Sequence, residues 1–342
     1  MEVVSEMPAN NNEIKSPKSK TSKSKAKGKG ASKKSVPICK NTFVAQMGTA
    51  LVFKRVVEAM KELVDSISFD IQEEGIFVQA MDSSHVALVG MYIANEDFED
   101  YYIDQPRCIG INLVNLSKLL KNVNNADALT LIMKAGNDDK IFLECTSKTR
   151  KVSMDFHLIE IDQDALSIPE FPETNVITMK SANFSKLISD FGVISDTIMI
   201  KIDGSSVNFK SIGEIGSVDI SMDSATDLDG DDEINLKIKG DGNNVSQEFA
   251  TKYISNFTKG SSLNDNVVIT INQDMPINIT YKFHHSSYIE YFLAPKIDDD
   301  NNEAALQTVK SLNQGKRIIP TIVFPNGNIL VEPTDSELSS KL

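Results

Sequence analysis

The chain has 342 residues, 24% of them charged, and a formal net charge of −13. That length suits two domains of ordinary size, and the acidic charge argues against a protein that coats nucleic acid with its whole outer surface. Three widely spaced cysteines, Cys39, Cys108 and Cys145, predict neither a disulfide framework nor a metal cluster. No apolar stretch is long enough for a membrane span, and no secretory signal is recognisable.

The N-terminal segment, residues 1–40, differs in composition from the rest of the chain. It contains ten lysines and three glutamates, a net charge of +7, which leaves −20 for the remainder. Lysine alternates there with Ser, Gly and Ala, and such a composition buries too little apolar surface to fold. We therefore predict a disordered basic tail. One interpretation is a nuclear-localisation signal or a DNA-touching arm, and the other is a solubilising tail without a single task.

The stretch 52–93 predicts a helix followed by short antiparallel strands. Alternating apolar and polar residues over 67–71 and 76–80, separated by a Glu-Glu-Gly turn, predict a hairpin, and 81–89 leads into a third strand. The helix is predicted from one apolar stripe, formed by Val52, Val56, Met60, Leu63 and Val64.

The same pattern recurs three more times, and the recurrence determines the predicted fold. Further helices are predicted to begin near Leu113, Ala182 and Glu248. The strands that follow them are predicted at 129–133 and 141–145, 198–202 and 207–210, and 267–271 and 277–281. Two units make one domain, so we predict an α+β fold of two similar domains, each of two helix-plus-antiparallel-strand units. The predicted parts are domain 1 at 41–158, an extended connector at 159–175 with the sequence LSIPEFPE, and domain 2 at 176–298.

A C-terminal extension, residues 299–342, follows the second domain. Two apolar runs around Pro-Asn-Gly-Asn within 317–333 are typical of a β-hairpin. Packing on the outer face, binding a partner and flexibility are all compatible with this extension.

Lysines at helical spacing suggest one basic surface. Lys54 and Lys61, like Lys252 and Lys259, are seven residues apart, which places each pair on one helix face. The remaining members are Lys118, Lys121 and Lys186. Because basic residues slightly exceed acidic ones in the four helix segments whereas acids dominate elsewhere, we expect the helices to form a surface suited to phosphates. The alternative is a set of ordinary solvated helix faces.

No arrangement of residues typical of catalysis is recognisable. His157, His284 and His285 lack a neighbouring nucleophile in any familiar setting. His85 is better interpreted as an interaction or packing residue than as a base. Neither a phosphate-binding GxxxxGK[ST] loop nor a GxGxxG motif after a strand occurs. We therefore predict a protein that is not an enzyme and has no cofactor or metal.

Several motifs, in order and nearly at the family's spacing, carry a resemblance to one family. They are MDSSHVALV (81–89), INLVNLSKLLK (111–121), SIPE (167–170), FGVISD (191–196), GEIG (213–216) and YFLAPKI (291–297). Over residues 43–298 the chain resembles the eukaryotic-type DNA sliding clamps, the proliferating cell nuclear antigen family.

The resemblance implies a ring of three chains joined head to tail, with helices lining the hole and sheets outside. It implies a polymerase processivity factor that encircles duplex DNA, with a clamp loader, DNA polymerase and other proteins carrying clamp-binding peptides as partners. It implies a nuclear location, or a viral or cytoplasmic replication site. Lys61, Lys118, Lys121 and Lys259 match the family's DNA-facing lysines, and Lys186 and Lys252 stand where it has arginines. By position, the subunit contact is expected at Arg150, Val152, Met154, Phe156, Ile215, Val218 and Ile220.

The family also implies an apolar pocket beneath the connector that accepts a short peptide with an aromatic plug. Its walls match Met81, His85, Val86, Leu88, Leu166, Ile168, Pro169, Pro276, Phe292, Ala294 and Pro295. This chain departs from the family at Ser189, where an arginine is usual, and at Phe292, where a tyrosine is usual. Gly204 stands where the family has its ubiquitin-acceptor lysine.

These departures and the two unfamiliar tails keep a second hypothesis open. In it, the chain is a clamp-fold recruitment scaffold, or one subunit of a hetero-oligomeric clamp, that does not encircle DNA as a homotrimer.

Overall fold

A strand-helix-strand-strand-strand unit occurs four times in the chain. The computed structural model describes residues 41–161, 174–225, 234–238, 244–296, 321–323 and 329–331. All of them belong to one compact unit.

The first two units lie within the first half of the chain. Unit one comprises β1 (Asn41–Met47), α1 (Ala50–Lys61), β2 (Ser66–Ile71), β3 (Gly75–Met81) and β4 (Ala87–Ala94). A 3₁₀ helix, Asn95–Asp97, and a short strand, β5 (Asp100–Ile103), follow it. Unit two comprises β6 (Arg107–Asn112), α2 (Leu113–Leu120), β7 (Ala128–Lys134), β8 (Lys140–Thr146) and β9 (Lys151–His157).

The other two units repeat this order. Unit three comprises β10 (Asn175–Lys180), α3 (Ser181–Ile194), β11 (Thr197–Asp203), β12 (Ser206–Gly213) and β13 (Gly216–Asp223), after which comes β14 (Ile234–Ile238). Unit four comprises β15 (Val245–Ala250), α4 (Thr251–Phe257), a 3₁₀ helix Thr258–Ser262, β16 (Asn266–Thr270), β17 (Ile277–Phe283) and β18 (Ser287–Leu293).

The first strand of each unit pairs with the other unit of its domain. β1 pairs with β7 and β6 with β2, while β10 pairs with β16 and β15 with β11, all antiparallel. The predicted units began at the helix, so these leading strands were missed. Within its own unit, each leading strand has no partner. Because it pairs with a strand of the other unit, the two units form one domain.

Two of the resulting sheets are short and one spans both domains. The strand orders are β5-β1-β7-β8-β9, β13-β12-β11-β15 and the nine-stranded β14-β10-β16-β17-β18-β4-β3-β2-β6. The domains meet where β18 pairs antiparallel with β4 from Tyr288↔Tyr92 to Leu293↔Ala87. Near this junction, Tyr291 is fully buried and its hydroxyl donates to the carbonyl oxygen of Ala59 in α1 at 3.2 Å.

In α1 and α2 an apolar stripe meets an N-terminal cap formed by a side chain. In α1 the stripe includes the buried Val56 and Met60, and the hydroxyl oxygen of Thr49 accepts from the Leu51 amide at 3.2 Å. This cap satisfies one of the free N–H groups of the first turn. The helix ends at Lys61, so the predicted stripe residues Leu63 and Val64 lie just beyond it in the turn to β2.

One short antiparallel pair lies in the C-terminal extension. β19 (Thr321–Val323) pairs with β20 (Ile329–Val331), with Ile322 opposite Leu330. Both strands fall inside the range 317–333 for which the sequence predicts a hairpin.

Candidate functional site

The four helices form one layer that continues across both domains. α1 packs against α2, α3 packs against α4, and α1 also packs against the 3₁₀ helix that follows α4. The Asn256 side chain donates to the carbonyl oxygen of Glu62 at 3.1 Å, which ties the end of α4 to the end of α1. These helices hold seven basic and two acidic residues, in a chain whose net charge is −13. The layer is therefore a basic surface on an acidic protein.

Two of the predicted phosphate-contacting lysines are engaged inside the helix layer. Lys54 Nζ donates to the Val123 carbonyl oxygen at 2.8 Å and to Asn125 Oδ1 at 2.9 Å. Lys61 Nζ lies 2.5 Å from Glu58 Oε2. Lys54 thus holds α1 to the segment after α2, whereas Lys61 is paired within α1. Each has less free charge to offer a phosphate than a solvated lysine has.

The other five lysines are exposed. No side-chain hydrogen bond ties any of them to another residue in the described part of the chain. They are Lys118, Lys121, Lys186, Lys252 and Lys259.

Glu58 is the acidic exception between α1 and α2. Ser117 Oγ donates to its Oε1 at 2.5 Å. Partial burial raises the pKa of Glu58, but the hydrogen bonds from Lys61 and Ser117 and the charges of Lys61 and Lys121 outweigh burial and lower it. Its negative charge is therefore retained and largely neutralised within the surface.

Two edge strands carry the residues expected at the subunit contact. Among the described strands, β9 pairs only with β8 and β13 only with β12, so each leaves one edge unpaired. Such an edge presents free N–H and C=O groups to any strand that approaches. Val152, Met154 and Phe156 lie on β9, and Val218 and Ile220 on β13. Two further residues border these strands, Arg150 immediately before β9 and Ile215 in the turn before β13.

Large apolar side chains lie exposed around β13. Ile215 is 73% exposed and Ile220 is 37% exposed. Two residues that the sequence pattern did not single out join them, since Val193 at the end of α3 is 73% exposed and Ile212 on β12 is 63% exposed. α3 packs against both β12 and β13. This end of domain 2 therefore presents apolar surface beside an unpaired strand, a combination typical of a protein–protein contact.

The Arg150 side chain is partly engaged at the other edge. Its Nη2 donates to the carbonyl oxygen of Asn122, just after α2, at 2.8 Å. Arg150 thus joins the end of the α2 segment to the start of β9.

An apolar row crosses the domain junction on the face opposite the core. Met81, Leu88 and Phe292 are in register across β3, β4 and β18. The Ala294 amide donates to the Val86 carbonyl oxygen at 3.0 Å, which brings the segment after β18 against the loop before β4.

The predicted pocket residues in the described part of the chain border this row. Pro276 immediately precedes β17, and Pro295 follows Ala294. His85 and Val86 are exposed on the loop. The remaining pocket residues, Leu166, Ile168 and Pro169, lie outside the described residues.

Asp82 organises the loop that borders this row, and no sequence pattern had given it a role. Its buried carboxylate accepts from the amides of Ser84, Val86 and Ala87 at 3.0, 2.9 and 2.8 Å. The Tyr253 hydroxyl of α4 donates to the same carboxylate at 2.9 Å. Burial raises the pKa of Asp82, but these four hydrogen bonds outweigh it and hold the pKa below its ordinary value.

The described part of the chain contains no group of three or more His, Cys, Asp or Glu residues arranged to hold a metal ion. Within the same residues, no helix is long and apolar enough to span a membrane. Cys108 and Cys145 are both free thiols, the first exposed and the second buried.

Comparisons with known proteins identify the family. The model for the proliferating cell nuclear antigen N-terminal domain matches residues 42–166, and the model for the C-terminal domain matches residues 167–296. The chain belongs to the proliferating cell nuclear antigen family. A relative from Chaetomium thermophilum, named proliferating cell nuclear antigen, is 36% identical over 258 residues, which cover 75% of this chain and 98% of that protein.

A solved structure of the same family supports the fold. The crystal structure of proliferating cellular nuclear antigen from Entamoeba histolytica matches with a TM-score of 0.68 and 31% identity, covering 75% of this chain and all of that one. The predicted resemblance and the α+β clamp fold with two similar domains are thereby confirmed. Residues before 42 and after 296 fall outside both family models.

The three departures from the family pattern have definite places in the fold. Ser189 is exposed on α3, so an arginine at this position would add a positive charge to the helix layer. Gly204 lies in the turn between β11 and β12 with φ of +60°, in the left-handed region that favours glycine. Phe292 is 8% exposed within the apolar row, where a ring without a hydroxyl keeps the surface apolar.

Proposed function

We propose that three copies of this chain close into a ring that encircles duplex DNA and tethers a DNA polymerase and other partners. Membership of the clamp family supports this proposal. The observation that carries it is the continuous helix layer, which is basic in an otherwise strongly acidic chain. A ring with this layer inside places basic side chains around the DNA and keeps the acidic surface outside.

The mechanism is sequence-independent attraction to phosphates. Exposed lysines on the helices neutralise phosphates and release counterions, and such contacts carry no base specificity. Because long lysine side chains adapt to a moving backbone, the ring slides while topology keeps it on the DNA. Lys118 and Lys121 supply this charge in domain 1, and Lys186, Lys252 and Lys259 supply it in domain 2.

Ring closure is proposed to pair β9 of one copy with β13 of the next. Each strand has one unpaired edge in the single chain, and head-to-tail pairing would cover both of these edges.

The apolar row at the domain junction is proposed to bind clamp-binding peptides. Met81, Leu88 and Phe292 form its floor, while Val86 and Ala294 border one end. An aromatic side chain of a partner peptide would remove these apolar groups from water. This burial provides the main free energy of docking.

The DNA part of the proposal is tested by neutralising exposed helix lysines. We expect Lys118→Ala, Lys121→Ala, Lys252→Ala and Lys259→Ala together to abolish stimulation of polymerase processivity. Removing one lysine–phosphate interaction lowers the salt-dependence slope of DNA binding by about 0.9. Lys282→Ala is the matched control, because Lys282 is exposed on β17 rather than on a helix. Unchanged processivity and an unchanged salt slope in the four-lysine variant would contradict the assignment.

Solution mass distinguishes the proposal from the scaffold hypothesis. Light scattering on the purified chain should give three times the chain mass of 37.7 kDa. A monomer at micromolar concentration, even in the presence of DNA and a clamp loader, would favour a recruitment scaffold or a hetero-oligomeric clamp subunit.

A further inference from the structure

One side-chain hydrogen bond connects the helix layer to the loop beside the apolar row. Tyr253 lies on α4 directly after the exposed Lys252 and immediately before the buried Ile254. Its hydroxyl reaches the Asp82 carboxylate, 171 positions away in the sequence, at 2.9 Å. Domain 2 thus holds a loop of domain 1 through one side-chain bond.

The bond acts on the residue that shapes the whole loop. The Asp82 carboxylate accepts the amides of Ser84, Val86 and Ala87, and the Asp82 carbonyl oxygen accepts the His85 amide at 3.0 Å. His85 itself has φ of +56°, in the left-handed region that costs energy for most non-glycine residues. The loop therefore depends on these hydrogen bonds to keep a conformation that its sequence alone does not favour.

The shape of the loop determines what borders the apolar row. Val86 is 39% exposed, and its carbonyl oxygen accepts the Ala294 amide at 3.0 Å. Leu88, two residues further on, lies between Met81 and Phe292 in the row. A loop that loosens around Asp82 would displace Val86 and break its hydrogen bond with Ala294.

We propose that Tyr253 is a positioning residue for partner binding, because its hydroxyl holds the 82–86 loop in the conformation that borders the row. This inference rests on the proposed peptide-binding function of the row. Tyr253 does not lie in the row itself, so its effect on a peptide passes through Asp82. Since Tyr253 follows Lys252 in α4, the same helix turn serves the proposed DNA surface and the loop on the opposite face.

The expected change in peptide affinity depends on the fraction of molecules whose loop is in the binding conformation. A hydrogen bond to a charged group contributes more to stability than a bond between neutral groups. If its loss lowers the fraction of competent loop, the apparent affinity for the peptide falls by the same fraction. We expect Tyr253→Phe to weaken peptide binding about fivefold to tenfold, the tenfold limit corresponding to about 1.4 kcal/mol.

The test measures binding of a fluorescein-labelled synthetic peptide with an aromatic plug to the full chain by fluorescence anisotropy. Tyr102→Phe is the matched control, because Tyr102 is 41% exposed on β5 and loses the same hydroxyl. Weaker binding by Tyr253→Phe alone, with the variant fully folded at the assay temperature, supports the proposal. Wild-type affinity in Tyr253→Phe, or an equal loss in Tyr102→Phe, would overturn it.

Amide hydrogen exchange provides a readout that needs no ligand. We expect Tyr253→Phe to speed exchange at Val86 and Ala87, whose amides bond to Asp82, and to leave the amides of β17 unchanged. Unchanged exchange at both loop amides would overturn the positioning role. If the wild-type chain does not bind the peptide, the proposed function of the row fails, whereas the exchange result still decides whether Tyr253 holds the loop.

A double-mutant cycle tests whether Tyr253 acts through Asp82. Asp82→Asn keeps the side-chain shape, but it removes the charge and places an N–H donor next to the loop amides, which are themselves donors. Adding Tyr253→Phe to Asp82→Asn should cost little further affinity if both substitutions break the same bond. Fully additive losses would contradict a route through Asp82.

Discussion

Truncating the exposed isoleucines at the β13 edge should dissociate the proposed ring without unfolding the chain. The variant is Ile215→Ala with Ile220→Ala. In the single chain these side chains are 73% and 37% exposed, so neither contributes its full apolar surface to the core of one copy. Substitutions of exposed side chains usually change the free energy of unfolding by less than about 0.5 kcal/mol.

The magnitude follows from the surface still available for burial. Fully burying an isoleucine side chain is worth about 1.5–3 kcal/mol. Scaled by the exposed fractions, Ile215 has about 1–2 kcal/mol left to gain at an interface and Ile220 about 0.5–1 kcal/mol. Alanine keeps a small part of this gain, so we expect a loss of about 1–3 kcal/mol per interface, or about fivefold to more than a hundredfold in affinity. In the proposed ring of three identical interfaces, this loss of binding free energy occurs at each interface.

The assay is sedimentation velocity over a dilution series, with the unfolding temperature measured in parallel. We expect the variant to become monomeric at concentrations where the wild-type chain remains trimeric. Tyr102→Ala is the control, since Tyr102 is 41% exposed on β5, at the opposite edge of the sheet that ends in β9. A variant that dissociates no more readily than the wild-type chain would refute the placement of β13 in the subunit contact.

Two further predictions concern stability and pH. Gly213→Ala should lower the free energy of unfolding by about 1–3 kcal/mol, because an added Cβ would overlap the Ile194 carbonyl oxygen. Gly192→Ala should raise the free energy of unfolding by about 0.5–1 kcal/mol, because an added Cβ at that helical site would meet only Thr251 Cγ2, at 3.6 Å. Thermal melts of both variants test the two predictions. Hydrogen bonds hold the pKa of Asp82 below its unfolded value, so its stabilising effect is present at neutral pH and is lost as the pH falls through that lowered pKa. Protection factors of the loop amides, which are corrected for the intrinsic pH dependence of exchange, should accordingly fall below the ordinary titration range of aspartate, and protection that falls only as the pH rises would contradict the sign.

The repeat pattern made most of the fold predictable. Apolar spacing indicated the first helix and the hairpin after it, since Val56 and Met60 repeat at helical period and 67–71 alternates. Recurrence of the pattern then indicated the other three helices and the strands that follow them. The leading strands, such as β1 and β6, escaped because each pairs with a strand of the other unit. Nothing in the local sequence indicates a pairing partner so distant along the chain, and helix ends depend on similar tertiary detail. α1 stops at Lys61 although its apolar stripe continues to Val64.

The residue types of the candidate site were predictable from the sequence, but the hydrogen bonds and burial of the individual side chains were less so. Helical spacing selected Lys54 and Lys61, but it could not show that Lys54 donates to Val123 and Asn125 across the helix layer. The MDSSHVALV motif directed attention to His85 and Val86, while its buried polar member is Asp82. A carboxylate between a strand and a Ser-Ser pair is a signal for a loop organised by backbone amides. Its bond to Tyr253 depends on the packing of two domains and leaves no trace in either segment.

The most direct test of the central claim asks whether retention on DNA is topological. The chain is loaded with a clamp loader onto nicked circular duplex DNA, unbound protein is removed by gel filtration, and a restriction enzyme then linearises the circle. We expect the chain to stay on the circle and to leave the linear DNA, and we expect bulky proteins bound at both ends to prevent the loss. Equal retention on circular and open linear DNA would contradict encirclement and indicate ordinary surface binding.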